Sequence, residues 1–258
     1  SPHGGHPLGD QRNTAMSLAS ALRLLTRFRI PGKEIEQSGR TLFWFPIVGA
    51  LLGCISCLFA LLPLSAPIRS VLVLIGGVYF TRALHYDGVA DLADGLGGGF
   101  TKERSLEIMR DSHIGAFGTI ALMLVVLLQY SLLLDVVEHP PMLILVSTLG
   151  RLAQVWAASL MNYAREGEGM ASSLVRRAKW HHALLPTLQV GLLILFLFVL
   201  HHPYAIPVLA AFGGIVLSTT ILCLISRKRL GGITGDVLGS VEVFGETAAL
   251  LGIVFALA

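Results

Sequence analysis

Seven apolar runs, each near the roughly 20 residues that cross a bilayer as a helix, divide most of this sequence between them. They lie at about 42–62, 70–86, 114–135, 142–162, 182–201, 204–226 and 237–257. Lipid offers no water to backbone N–H and C=O groups, so such runs fold as helices. The fold class that follows is all-α: a polytopic helical membrane protein of about seven transmembrane helices. Of the 258 residues, 14% are charged and 54% hydrophobic, where a soluble domain carries about 25% charged residues. Mean hydropathy is +0.73, and one bundle accounts for the whole length.

Residues 1–15 are rich in Gly, Pro and His without periodicity, so a loose or disordered arm is expected there. His3 and His6 could bind metal only adventitiously, with no other ligand type beside them. Met16 to Ile30 alternates apolar residues with Arg23, Arg27 and Arg29, the pattern of an amphipathic helix lying in the membrane interface. It lacks the long apolar run and small-residue cleavage site of a signal peptide. The expected organisation is therefore an arm over 1–15 and a single integral-membrane catalytic domain over 16–258.

The loops 27–41, 87–113, 163–181 and 227–236 carry nearly all the Lys and Arg, while the alternate loops hold only Arg69. The positive-inside rule then places the N-terminus in the cytoplasm and the C-terminus outside. Every polar motif falls on the cytoplasmic side, which predicts one active site at that face. A net charge of +3 is too small to suggest nucleic acid, and the bilayer itself is the expected partner. Cys54 and Cys57 form a C-x-x-C inside an apolar run, without the strand-to-helix setting of a redox site, and read with Cys223 as packing residues. Gly49-x-x-x-Gly53 allows close helix packing, within the fold or between subunits; a homodimer is a guess from that signal.

The chemistry concentrates in His85-Tyr86-Asp87-Gly88-Val89-Ala90-Asp91-Leu92-Ala93-Asp94-Gly95. Asp87, Asp91 and Asp94 stand at i, i+4 and i+7, within an arc of about 60° on one helix face. Like charges so close repel unless a cation sits among them, and Mg²⁺ bridging carboxylates to substrate phosphate is a common answer. A solvated acidic helix end is the bland reading, but the stretch follows a membrane-length segment, where carboxylates are costly. The glycines at 95 and 97–99 lack a following G-K-[S/T], so they are no Walker loop; a flexible link ending a helix is the simpler account. Thr101 caps a predicted short helix to about Asp111, placing Arg104 and Asp111 on one face, with Arg110, Ser112 and His113 adjoining. A metal ligand or general base beside a phosphate clamp suits this set.

Arg151 lies too deep in its run to reach the interface and is predicted to meet a carboxylate or a substrate phosphate. Arg82, one turn before the acidic stretch, can snorkel to the interface. The loop from Asn162 to Gly169, with Arg165, is polar and could contact substrate. Gly231, Gly232, Thr234, Gly235, Asp236 and Gly239 permit close approach of a ligand or a helix. Glu242 and Glu246, one turn apart in an apolar run, are expected to face the same interior as the three aspartates, or to pair with Arg151.

On these stretches the chain resembles the cobalamin synthase family, the adenosylcobinamide-GDP ribazoletransferases. The residues that carry the resemblance are H-Y-D-G-V-A-D-L-A-D-G at 85–95, R-S-L-E-I-M-R-D-S-H-I-G at 104–115, G-G-I-T-G-D-V-L-G at 231–239, Glu242, Glu246 and the segment at 161–167. The resemblance implies a bacterial inner-membrane enzyme that needs Mg²⁺ and joins adenosylcobinamide-GDP to α-ribazole or its 5′-phosphate, releasing GMP. It implies Asp87, Asp91, Asp94 and Asp111 as metal ligands, and Asp111, preferred over Asp236, as proton acceptor. His85, Arg104, Arg110, Ser112, Arg151, Arg165, Gly232, Thr234, Gly235, Glu242 and Glu246 would contact substrate. Asp91-x-x-Asp94-Gly95 also looks like the start of the CDP-alcohol phosphotransferase motif, but the rest of that motif is absent. A lipid-directed enzyme of that kind, or a cation- or proton-coupled transporter using the five acidic residues as its pathway, are the alternatives.

Overall fold

The computed structural model describes residues 18–30, 39–166, 171–200 and 204–258; the arm at 1–15 and the loop glycines 167 and 169 lie outside these. A first helix, α1, covers 18–25. A 3₁₀ turn at Gly39–Trp44 leads into α2 (Phe45–Ala60), followed by α3 (Ala66–Phe80), α4 (Leu84–Gly98), α5 (Lys102–Ile108) and α6 (Ala116–Val136). Then come α7 (Pro141–Leu160), α8 (Ser172–Arg177), a 3₁₀ turn at Trp180–Ala183, α9 (Leu184–Leu200), α10 (Ala205–Leu230) and α11 (Gly235–Leu257).

Among the described residues five helices are long and apolar enough to cross a membrane: Gly39–Ala60, α6, α7, α10 and α11. The protein is thus an all-α polytopic membrane protein. The expected runs at 70–86 and 182–201 take other forms. Trp180–Phe196 is a shorter apolar helix, and α3 and α4 reach spanning length only as a pair, bent by 86°. Counting the pair as one span gives six.

That bend orients the acidic helix. After Phe80, Arg82 and Ala83 both take left-handed backbone angles, φ 57° and 56°, which non-glycine residues rarely adopt. The Ala83 N–H bonds back to Val78 O at 2.8 Å, closing α3 as a helix C-terminus usually closes on glycine. Ala83 is then the N-cap of α4. Arg27 packs here: its N–H bonds Phe80 O at 2.8 Å, and its guanidinium lies 3.6 Å over the Tyr79 ring. The amphipathic helix expected to reach residue 30 accordingly stops at 25, and 26–30 runs without helix.

Helix α7 is the centre of the bundle, with Leu145, Leu149, Leu152 and Val155 fully buried. Gly49 and Gly53 let α2 lie directly on it: a Cβ on Gly53 would meet Ile144 Cα at 2.6 Å, and one on Gly49 would meet Ser147 O at 2.5 Å. The G-x-x-x-G signal is used inside the fold. Gly53→Leu is expected to pry α2 from α7 and lower stability by about 1–3 kcal/mol or more, read as a fall in the melting temperature of detergent-solubilised protein. Cys54, on the same helix, is exposed, so it does not pack between helices as its sequence context suggested.

Nor is Gly95–Gly99 a flexible link. α4 runs through Gly98, and α5 rests against it so closely that a Cβ on Gly99 would meet Ser105 Cα at 2.6 Å. Arg229, at the end of α10, donates to Leu96 O at 3.1 Å and Gly99 O at 2.7 Å. This cation closes the negative end of α4. Thr101 caps α5, accepting from Arg104 N–H at 3.2 Å. The helix ends at Ile108, so Arg104 and Asp111 do not share one helical face; they meet across a groove instead.

Candidate active site

The acidic face of α4 runs about 10 Å along the helix from Asp87 to Asp94. Its three aspartates have different surroundings. Asp94 is buried, and its two carboxylate oxygens accept the N–H groups of Gly115 at 2.7 Å and Gly118 at 2.9 Å. It therefore neutralises the N-terminus of α6, whose first N–H groups have no partner within the helix. Asp87 is exposed and Asp91 partly buried. Asp91 stands in the field of Asp236, Asp87 and Asp94, with Arg165 as the opposing charge.

Asp236 and Arg165 reach this face through a contact between two distant loops. Ile233 N–H bonds Asn162 O and Ala164 N–H bonds Ile233 O, both at 2.8 Å. The resulting parallel bridge between Tyr163 and Ile233 needs Gly232, where a Cβ would strike the Asn162 carbonyl. Gly231 takes φ 76° to end α10, and Thr234 caps α11 by accepting from Val237 N–H at 3.3 Å. Arg165 then donates to Asp236 Oδ2 at 2.8 Å and to Met109 O at 3.2 Å. Thr234 Oγ1 donates to the same Oδ2 at 3.2 Å. Across the gap, Gly88 brings α4 against α11: a Cβ there would meet Asp236 O at 2.5 Å. Ser240 Oγ bridges Gly88 O and Asp236 O, at 2.9 Å each.

Two hollows flank this face. Asp87, Asp236, Arg165, His85 and Gly235 line a pocket of about 190 Å³. At the other end Asp94, Arg104, Arg110, Asp111 and His113 line an open groove of about 700 Å³. Asp91 lies between Asp87 and Asp94 on α4. Asp111 is on the exposed rim, its Oδ1 2.7 Å from His113 Nδ1 and accepting His113 N–H at 3.0 Å. The His113 ring, then its backbone N–H, hold the Asp111 carboxyl below the usual carboxylate range. Arg104 is exposed and bonded to Glu107 at 2.7 Å, and Ser112 is exposed.

Glu242 and Glu246 do not join the aspartates. They point into a separate cavity of about 70 Å³ in the middle of the bundle, with Arg151, Tyr86 and Gln129. Arg151, 2% exposed at its side chain, pairs with Glu242 and lies 3.7 Å from Glu246. His85 Nδ1 is 3.4 Å from Glu242 Oε2. Tyr86 donates to Gln129 Oε1 at 2.5 Å, and Gln129 donates to Thr247 at 3.0 Å. Sequence reasoning passed over Tyr86, Gln129 and Gln154; each is a polar residue inside or beside an apolar run, and that was the available signal.

Among the described residues no three His, Cys, Asp or Glu side chains converge to hold a metal ion by themselves. One or two carboxylates with substrate phosphate and water is, however, the usual surrounding of Mg²⁺. The donors at hand are hard oxygens, and among the described residues Arg165 is the counter-charge facing Asp91 and Asp236. Their chemistry fits such an ion.

The structure thus defines a polytopic helical membrane protein with an acidic helix and two flanking hollows at one end. The chain belongs to the cobalamin-5-phosphate synthase family, whose model matches residues 17–254. It is 40% identical over 234 residues to the adenosylcobinamide-GDP ribazoletransferase of Chlorobium phaeovibrioides, covering 89% of this chain and 93% of that one. The protein of the same name from Prosthecochloris aestuarii is 41% identical over 228 residues, covering 86% and 91%. That of Syntrophobacter fumaroxidans is 36% identical over 242 residues, covering 90% and 95%. No solved structure matches the chain.

Proposed function

We propose that this enzyme transfers the cobinamide phosphoryl group of adenosylcobinamide-GDP to the hydroxyl of α-ribazole or its 5′-phosphate, releasing GMP, and that it uses Mg²⁺. The observation that carries this reading is the α4 face. It presents carboxylates continuously from a small pocket to a wide groove, facing Asp236 and Arg165. Two substrates of unequal size could meet over such a face. The three relatives are named for this transfer, and each aligns with at least 86% of the chain.

Asp87 and Asp91 are the residues that would hold Mg²⁺, which when bound neutralises charge on the pyrophosphate and its leaving group. Arg165 orients Asp236 and adds positive charge beside the reacting phosphate. Arg104 and Arg110 line the wide groove and would meet the GDP end of the donor. The attacking hydroxyl forms the new P–O bond, the bond to GMP breaks, and the hydroxyl proton passes to Asp236. Among the described hydrogen bonds, both to the Asp236 side chain fall on Oδ2, which leaves Oδ1 for this role. Asp111 is the weaker base because His113 stabilises its charge. In this reading Asp94 supports the site by fixing α6.

The site end faces the cytoplasm. Arg104, Arg110, Arg165, Arg176, Arg227, Lys228 and Arg229 belong to this end, while Arg69 lies at the other, bonded to Ala60 O at 2.9 Å and to Glu138. The deciding experiment follows GMP release by purified protein given adenosylcobinamide-GDP and α-ribazole 5′-phosphate. GMP and cobalamin phosphate should form in equal amounts, stop on chelation and return with added Mg²⁺. Turnover that persists in excess chelator would remove the metal from the mechanism.

A further inference from the structure

The corner where α1 meets the bend between α3 and α4 gathers positive charge that the transfer reaction does not use. Arg27, Arg29 and Arg82 are all exposed there. Two of them are placed by an exchange of backbone partners. In a continuing helix Arg27 N–H would bond Arg23 O, four residues back. It bonds Phe80 O instead, at 2.8 Å, and the Arg82 guanidinium donates to the freed Arg23 O at 3.2 Å. The Arg27 guanidinium is held in turn over the Tyr79 ring, 3.6 Å from its centroid. Both cations are thus fixed at one corner, with Arg29 two residues further along the chain. Among the described residues none of the three has an ion-pair partner. Like charges gathered in this way repel unless an anion joins them.

The adjoining surface indicates which anion. α3 exposes Ile68, Val71, Ile75, Val78 and Tyr79, spaced three and four residues apart along one helix face. At 1.5 Å per residue this strip is about 16 Å long, close to one leaflet of a hydrocarbon core about 30 Å thick. It ends at Tyr79, a residue type that favours the level of the lipid headgroups, under the Arg27 guanidinium. An apolar strip one leaflet long that terminates in arginines matches a phospholipid of net negative charge. Its acyl chain lies along α3 and its phosphate meets the arginines. A soluble phosphate would leave the strip unused. A zwitterionic lipid brings its own cation to the phosphate and gains less from the corner.

We propose that this corner binds the headgroup of an anionic phospholipid, which clamps α1 to the α3–α4 bend. The clamp bears on the candidate active site. Leu24 and Leu25 of α1 and Leu84 of α4 line the pocket of about 190 Å³ beside Asp87 and Asp236, so the bound lipid holds two walls of that pocket together. The binding itself depends on neither the acidic face nor the transfer reaction, and its test reads lipid alone.

The test is native mass spectrometry of the purified, delipidated protein, titrated with equal amounts of phosphatidylglycerol and phosphatidylcholine of matched chains. The unmodified protein should retain phosphatidylglycerol preferentially. An arginine at the membrane surface is worth about fivefold in affinity for an anionic lipid. Arg27→Gln combined with Arg82→Asn should therefore lower the preference by about 25-fold; asparagine is chosen because it tolerates the left-handed backbone. Arg227→Gln combined with Lys228→Gln removes two exposed cations from the end of α10 and should leave the preference within about twofold, since neither belongs to the corner. An equal loss in both double variants would mean diffuse surface charge and overturn the site. Equal retention of the two lipids by the unmodified protein, or an unchanged preference in the Arg27 and Arg82 variant, would overturn it as well. Inorganic phosphate at constant ionic strength should not displace the lipid; displacement would assign the corner to a soluble anion instead. If the Arg27 and Arg82 variant melts early in detergent, Arg29→Gln decides alone, being a change at an exposed side chain outside any helix. A loss of about fivefold then supports the site, and an unchanged preference overturns it.

Discussion

Asp91→Asn is expected to lower turnover by at least about 10²- to 10³-fold, the scale of losing one preorganised electrostatic group at a reacting phosphate, without destabilising the protein. The two halves of that result have one cause. Asp91 stands among the negative charges of Asp236, Asp87 and Asp94, with Arg165 opposing them among the described residues. Removing its charge relieves repulsion in the folded state, so the melting temperature in chelator should stay level or rise. The same charge is what attracts the cation and, through it, the pyrophosphate. Kinetics of GMP release and thermal unfolding of one preparation read both. A variant that melts earlier and retains activity would mean that Asp91 supports the fold and takes no part in catalysis.

Arg151→Met should do the reverse in kind, destabilising the bundle by about 3–5 kcal/mol, the cost of breaking a buried ion pair from one side. Its side chain is 2% exposed and holds Glu242 directly, with Glu246 at 3.7 Å. Methionine would leave the Glu242 carboxylate, in the middle of the membrane domain, without the guanidinium that pairs with it. Adding Glu242→Gln to Arg151→Met removes that stranded charge. The double variant is therefore expected to melt above the single one, a non-additivity that marks direct coupling. If the two losses simply add, the pair is not the unit the geometry makes it.

The contrast between these residues shows how far local sequence reaches. Periodicity put Asp87, Asp91 and Asp94 on one face, and α4 keeps that face. It could not tell that Asp94 spends both oxygens on the N–H groups of Gly115 and Gly118, because those partners follow a loop and a short helix. Arg151 was legible as an interior cation in search of a carboxylate, since its depth in an apolar run leaves little choice. For Glu242 and Glu246 the same reasoning about burial leaves two surroundings open, the aspartates' interior or Arg151. α11 turns them toward Arg151 and His85, and its N-terminal Asp236 toward α4.

What the sequence by itself determined was everything carried by composition and local spacing: a helical membrane bundle, most of its spans, the acidic face, the cap at Thr101, and the family. Lipid enforces helix on any long apolar run, and 3.6-residue periodicity distributes the polar groups around it. Tertiary structure alone decided the 86° bend between α3 and α4, for no glycine marks it and Arg82 and Ala83 adopt their left-handed angles within the packed chain. It also decided the bridge between Tyr163 and Ile233 that carries Arg165 to Asp236, and the contacts of Arg23 and Arg27 with that bend. Those contacts join residues that are far apart in the chain, and their energies depend on how whole helices pack.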